Sequence, residues 1–112
     1  MTNLLVDAVV NRLVPRIMRQ DYEEVYEPCG ARNDMIYHCF RPATPGIFES
    51  VEVKMHHVDG IVYVDWGDKQ IQITPHGDNE FSMFFFAGLR HDFLAEEFAT
   101  IDAVMDRAMR FV

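Results

Sequence analysis

The sequence predicts an α+β domain: an N-terminal helix, a four- to five-stranded antiparallel meander sheet, and a C-terminal helix packed on the sheet. Three observations carry this. Apolar residues recur at helical spacing in the first and last segments, and a period of two runs through the middle. The strand-like runs are joined by turns too short for a parallel crossover, which needs a dozen residues or more. At 112 residues the chain is near the commonest domain size, so residues 1–112 read as one domain.

The first helix rests on Leu5, Val9, Leu13 and Ile17, four apart, with Val6, Val10 and Val14 beside them on the same stripe. Thr2 or Asn3 is placed to cap its start. Pro15 lacks a backbone donor and crowds the preceding turn. Either the helix kinks there, or it ends at Val14 and Pro15 opens a second helix that Met18, Tyr22 and Val25 carry toward Glu27. Glu27-Pro-Cys-Gly30 then breaks the period, and 31–34 reads as loop.

Five runs read as strands: Met35–Arg41, Ile47–Val58, Ile61–Trp66, Lys69–Thr74 and Phe81–Ala87. Pro45-Gly46, Asp59-Gly60, Gly67-Asp68 and Pro75–Asn79 separate them. Asp59-Gly60 is the strongest local signal, because Asp-Gly tolerates positive φ at both central positions of a two-residue hairpin. The last helix is expected from Leu94, Phe98, Ile101, Met105, Ala108 and Val112, which step by three or four. Asp92 is its expected N-cap, with Glu96 and Glu97 near the positive end of the dipole and Arg107 and Arg110 near the negative end.

Two strands are apolar on both sides. Val62, Val64 and Trp66 alternate with Ile61 and Tyr63, while Phe84 and Phe86 alternate with Phe81, Met83 and Phe85. A sheet with one wet face should alternate cleanly, so the sheet centre must be covered twice. The two helices could lie on opposite faces, or the second face could wrap a small pocket. Otherwise the helices share one face and Val62, Val64, Trp66, Phe84 and Phe86 form an apolar sheet face that meets a partner or a second copy in a homodimer.

Chemistry-bearing residues do not assemble into a motif. His38, His56, His57, His76, His91, Cys29 and Cys39 lack the close pairing of a zinc site, and His56 and His57 are adjacent on a strand and so face opposite ways. No metal or cofactor is expected. Cys29 before Gly30 and His76 before Gly77 sit in expected loops, but neither has a partner in sequence, and neither Ser50 nor Ser82 sits in a nucleophile elbow. Phosphate-binding glycine loops are missing, so the chain reads as a binding protein rather than an enzyme. A small-molecule binder or enzyme on a curved sheet is the alternative of a different class.

Charge is the more informative signal. The formal net charge is −8, from 10 basic and 18 acidic residues. Direct contact with a phosphate backbone needs the opposite sign. No run approaches the roughly 18 apolar residues of a membrane span, and Met1–Asn11 lacks the basic start of a secretory signal. With two cysteines the expectation is reduced thiols and a cytoplasmic protein. Asp21, Glu23, Glu24 and Glu27 form one acidic run, and Glu96 and Glu97 lead a second along the last segment. These six are the candidate acidic binding surface, steering the chain toward a basic protein partner.

In size, acidity and α+β make-up the chain looks like phage-encoded anti-defence proteins, including anti-CRISPR inhibitors, whose carboxylates imitate a phosphate backbone. That likeness implies an inhibitor or regulator of a nucleic-acid-binding protein. Immunity proteins and type III secretion chaperones are likewise small, acidic and α+β. They imply instead a partner on the apolar sheet face, although the chaperones' internal helix between strands is missing here.

Overall fold

The computed structural model describes residues 4–19, 21–25, 36–43, 52–88 and 90–112; for residues 25, 36, 37 and 90–95 it describes the backbone alone. The expected caps at Thr2 and Asn3, the breaks at 27–34 and Pro45-Gly46, and the start of the Ile47–Val58 strand lie outside the described residues.

The helical segment continues without a break past Pro15, through a change of helix type just before it. Leu4–Ala8 (α1) runs into a π-helical turn, Val9–Leu13, and on into Val14–Met18 (α2). Pro15 has no N–H to return to the Asn11 carbonyl, and the wide turn absorbs that loss: the Val14 N–H bonds back to the Val9 carbonyl, five residues away. Leu5, Val9, Leu13, Val14, Ile17 and Met18 are thereby all buried. Arg19 ends the helix in the left-handed region at φ 58°, its N–H bonded to the Pro15 carbonyl at 3.0 Å. The segment after it is strand, not helix: Tyr22–Val25 (β1) pairs with Ile36–Pro42 (β2).

Among the described residues, seven strands form one antiparallel sheet in chain order, two or three more than expected. After β1 and β2 come Val53–Val58 (β3), Ile61–Trp66 (β4), Lys69–Gly77 (β5), Glu80–Ala87 (β6) and Arg90–Phe98 (β7). Val58 opposite Ile61 closes the Asp59-Gly60 turn, with φ of 52° and 82° at its two residues, the mirror-image turn that matches strand twist. Trp66 opposite Lys69 closes the next turn, around Gly67-Asp68. The Pro75–Asn79 turn narrows to Asp78-Asn79, because β5 continues through Pro75 as a bulge between Pro75 and Gly77. A bulge is one of the few places where a strand accommodates proline.

The C-terminal helix is shorter than its apolar stripe. It spans Ile101–Met109 (α3) and is capped by Thr100, whose Oγ1 accepts from the Ala103 N–H at 3.1 Å; Asp92 is no cap but lies within β7. Leu94 and Phe98 misled because residues four apart share a face in a strand as well as in a helix. In β7 they stand opposite Phe85 and Phe81 of β6.

Both helical segments pack on the same face of the sheet. The α2 segment meets β2 and β3, α3 meets β6 and β7, and the π turn meets α3. Arg12 of that turn bridges Asp102 and Asp106 of α3. The core lies between: Phe40, Val53, Met55, Val62, Val64, Trp66, Ile71, Ile73, Phe81, Met83 and Phe85 from the sheet, under the helices' apolar stripes. Among the described residues no helix lies over the other face, called here the outer face.

Candidate functional site

The outer face is built by the alternation of β3 to β6. Wherever a residue points into the core, its neighbours point out, and the register aligns those neighbours in rows across the sheet. One row is His56, Tyr63, Gln72 and Phe84; the next is Lys54, Asp65, Gln70 and Phe86. Tyr63, Gln72, Phe84, Asp65, Gln70 and Phe86 are all half-buried. The face is therefore neither a dry core nor a fully wet surface.

Side-chain contacts fix this surface. The His56 ring stacks on Tyr63 with centroids 4.5 Å apart and planes 6° from parallel. Gln70 Nε2 donates to Asp65 Oδ1 at 2.6 Å, and the other Asp65 oxygen lies 4.0 Å from His56 Nδ1. Further along, His76 Nε2 and Ser82 Oγ are 2.6 Å apart and tie the bulged end of β5 to β6. Burial holds His56 below its ordinary pKa, against the opposing pull of Asp65 and with help from the neighbouring His57.

Among the described residues, carboxylates outnumber cations on this face. Glu23, Glu52, Asp65, Glu80 and Glu97 stand on the outer side against Arg41 and Lys54, and Arg41 is held by Glu52 at 2.9 Å. The sign of the whole chain thus persists on this face.

The helix-covered side has its own titratable cluster at one margin. His38 Nδ1 lies 2.5 Å from Glu24 Oε1 and joins β1 to β2, and the His57 ring is 6.2 Å from that of His38. Burial first, and His38 second, lower the His57 pKa. Among the described residues no three His, Cys, Asp or Glu side chains converge as a metal site would require. Cys39 is a buried thiol, and Cys29 lies outside the described residues.

The candidate residues from sequence divide between the two sides. Val62 and Val64 are fully buried and Trp66 is 7% exposed, all under the helices, so they are core and not a binding face. Phe84 and Phe86 lie on the opposite side. The bulge explains the mismatch: an unbulged hairpin closed by Gly77 and Glu80 would set Ile73 opposite Phe84, whereas the extra residue sets Ile73 opposite Met83. A slip of one residue exchanges the faces of a strand. The acids divide as well. Glu23 and Glu97 point outward, while Glu24 faces His38 and Glu96 is clamped by Arg107 on the helix side. Asp21 is exposed just before β1, and Glu27 lies outside the described residues. Sequence reasoning passed over Tyr63, Gln70 and Gln72; only the register makes them neighbours.

Two histidines with lowered pKa give a pH prediction. A histidine whose folded pKa is depressed stabilises the fold fully above its unfolded value of 6.5, and that contribution is lost as pH falls through the folded value. The urea midpoint should therefore fall between about pH 7 and pH 5, and His57→Gln should flatten the slope. An equally steep slope in His57→Gln and His56→Gln would assign the effect to other groups.

No helix among the described residues is long and apolar enough to cross a membrane. Comparison with protein-family models, with curated proteins and with solved structures finds no match.

Proposed function

We propose that this protein is a binding module that docks a basic protein partner on the outer face of its sheet, acting as an inhibitor or regulator by occlusion. The observation that carries the reading is the asymmetry of the sheet. Both helices pack on one side, and the other presents half-buried Tyr63, Phe84 and Phe86 among an excess of carboxylates. Aromatic side chains with a polar surround are the composition of protein interfaces. Charge selects the partner: a second copy would bring a chain of net −8 against itself, while a basic surface gains both long-range steering and contact. A partner whose basic surface binds nucleic acid would be occluded in this way. The candidate acids give less support to backbone mimicry, since Glu23 and Glu97 lie on one side of the sheet and Glu24 and Glu96 on the other.

The test compares charge changes on the two sides. The chain is used as bait at low and high salt, and bound proteins are identified by mass spectrometry. A basic protein held by the wild type and by Asp102→Lys on α3, but lost with Phe86→Lys plus Glu97→Lys and at high salt, supports the reading. Retention by the outer-face variant, or loss with Asp102→Lys alone, overturns it.

A further inference from the structure

We infer that the outer face at Gln72, flanked across the strands by Tyr63 and Phe84, takes an arginine side chain of the basic partner. The inference rests on the outer face being the docking surface and names the group recognised there.

The register supplies the geometry. Tyr63, Gln72 and Phe84 are opposite one another on β4, β5 and β6, so the two aromatic residues stand two strand spacings apart, roughly 10 Å. The stack with His56 sets the Tyr63 ring on edge. Two nearly parallel rings 4.5 Å apart on adjacent strands have their planes across the strand-to-strand direction, so the second face of Tyr63 looks over β5. Opposite Tyr63 on β5 stands Gln72, whose amide offers a carbonyl oxygen as acceptor. A planar group laid there meets an aromatic face beside it and a hydrogen-bond acceptor.

Asp65 supplies the charge. It is diagonal to Gln72 across β4 and β5, a relation that brings side chains within about 7–8 Å at their bases and within reach at their tips. Gln70 occupies one of its oxygens at 2.6 Å and so fixes the carboxylate; the other is 4.0 Å from His56 Nδ1, beyond hydrogen-bonding distance. The nearest basic residue in the neighbouring row is Lys54, opposite Asp65 on the side away from β5. A cation entering over Gln72 therefore meets Asp65 before any like charge.

Arginine fits these features better than lysine. Its guanidinium is planar, stacks on aromatic faces, sheds water more readily than an ammonium, and has enough donors for a carboxylate and an amide oxygen together. A carboxylate or phosphate ligand would face Asp65 with the same sign.

The test uses a defined probe. The ¹⁵N-labelled full chain is titrated at millimolar concentration with acetyl-Gly-Arg-Gly-amide, and separately with peptides carrying citrulline or lysine in place of arginine. The expected result is saturable shifts of the Gln72 side-chain amide and of the Tyr63 and Asp65 backbone amides with the arginine peptide. Affinity should be about tenfold lower for citrulline, which keeps the shape and loses the charge, and lower for lysine. Asp65→Asn and Tyr63→Leu should each weaken binding with the rest of the spectrum unmoved. Shifts that cluster elsewhere, an equal response to citrulline, or no response to the arginine peptide overturn the inference. If the Tyr63, Asp65 and Gln72 signals are silent while Phe86→Lys plus Glu97→Lys still abolishes partner capture, the arginine assignment fails alone. Should capture survive that variant, the docking face itself fails.

Discussion

Trp66→Ala is expected to destabilise the fold by about 3–5 kcal/mol, the range for removing a large aromatic side chain from a packed interior. Trp66 is 7% exposed and stands between Val53 and Lys69 in its row across the sheet, with Val64 fully buried two residues before it. The cavity cannot be filled from either side, because β3 and β5 flank it in the sheet and the helices close it above. In a domain of this size the loss amounts to roughly 10–20 °C in melting temperature, read by far-ultraviolet circular dichroism. Phe86→Ala should cost only about 1–2 kcal/mol, since Phe86 is half-buried on the outer face. The contrast tests the sheet's two faces directly. Equal losses at the two positions, or a larger one at Phe86, would mean that Phe86 shares the core side with Trp66.

That bulge also marks the boundary of what the sequence made legible. Features set by a few adjacent residues could be read. The Asp59-Gly60 turn follows from the positive φ that Asp and Gly tolerate, and Ile61–Trp66 is a strand with those same limits because turns fix both its ends. The alternation of Phe81, Met83 and Phe85 against Ser82, Phe84 and Phe86 was visible within β6. Relations between strands were not. Whether Phe84 or Met83 shares a face with Val62 depends on one extra residue between Pro75 and Gly77, and nothing local to either strand records it.

The missed elements have the same origin. Tyr22–Val25 is four residues long, and its strand character comes from pairing with Phe40 and its neighbours rather than from its own propensity. Its Tyr22 ring meets Phe40 edge-on at 5.9 Å, a contact between residues eighteen apart that no periodicity within the segment encodes. In β7, the four-residue step from Leu94 to Phe98 is compatible with both structures. Thr100 was the better signal for the start of the helix, because a capping hydroxyl directly before Ile101 separates the strand's even spacing from the mixed steps that follow. The acidic surface was legible as a total charge but not as a geometry. Glu96 and Glu97 are adjacent in sequence, and a strand sends adjacent residues to opposite faces.

Phe111→Ala is expected to give the second large loss of stability, about 2–3 kcal/mol from the apolar area it returns to water. Phe111 lies beyond α3, yet the turn there is held by its N–H on the Ala108 carbonyl at 3.1 Å. Its ring stacks on Phe85 of β6 with centroids 3.9 Å apart, and the Arg107 guanidinium lies over it at 4.6 Å from the ring centre. Arg107 in turn donates from Nε and Nη2 to the two oxygens of Glu96 in β7, at 2.8 and 3.1 Å. The column thus runs from β6 through the C-terminal turn to β7, where the sheet ends. Removing Phe111 takes away the surface on which Arg107 is positioned, so Phe111→Ala and Arg107→Met should be non-additive in a double-mutant cycle. Acid provides an independent check. The Arg107 hydrogen bond lowers the Glu96 pKa, so the stability from this pair is present above the unfolded value of 4.5 and is lost as pH falls through the folded value. Arg107→Met should therefore lose less stability than the wild type on acidification through that window. Amide exchange in β7 should quicken in both variants before the β3–β4 amides respond, because the column holds the sheet's terminal strand and not its centre. Additive losses with unchanged β7 exchange would show that the turn packs on the core without fastening the edge.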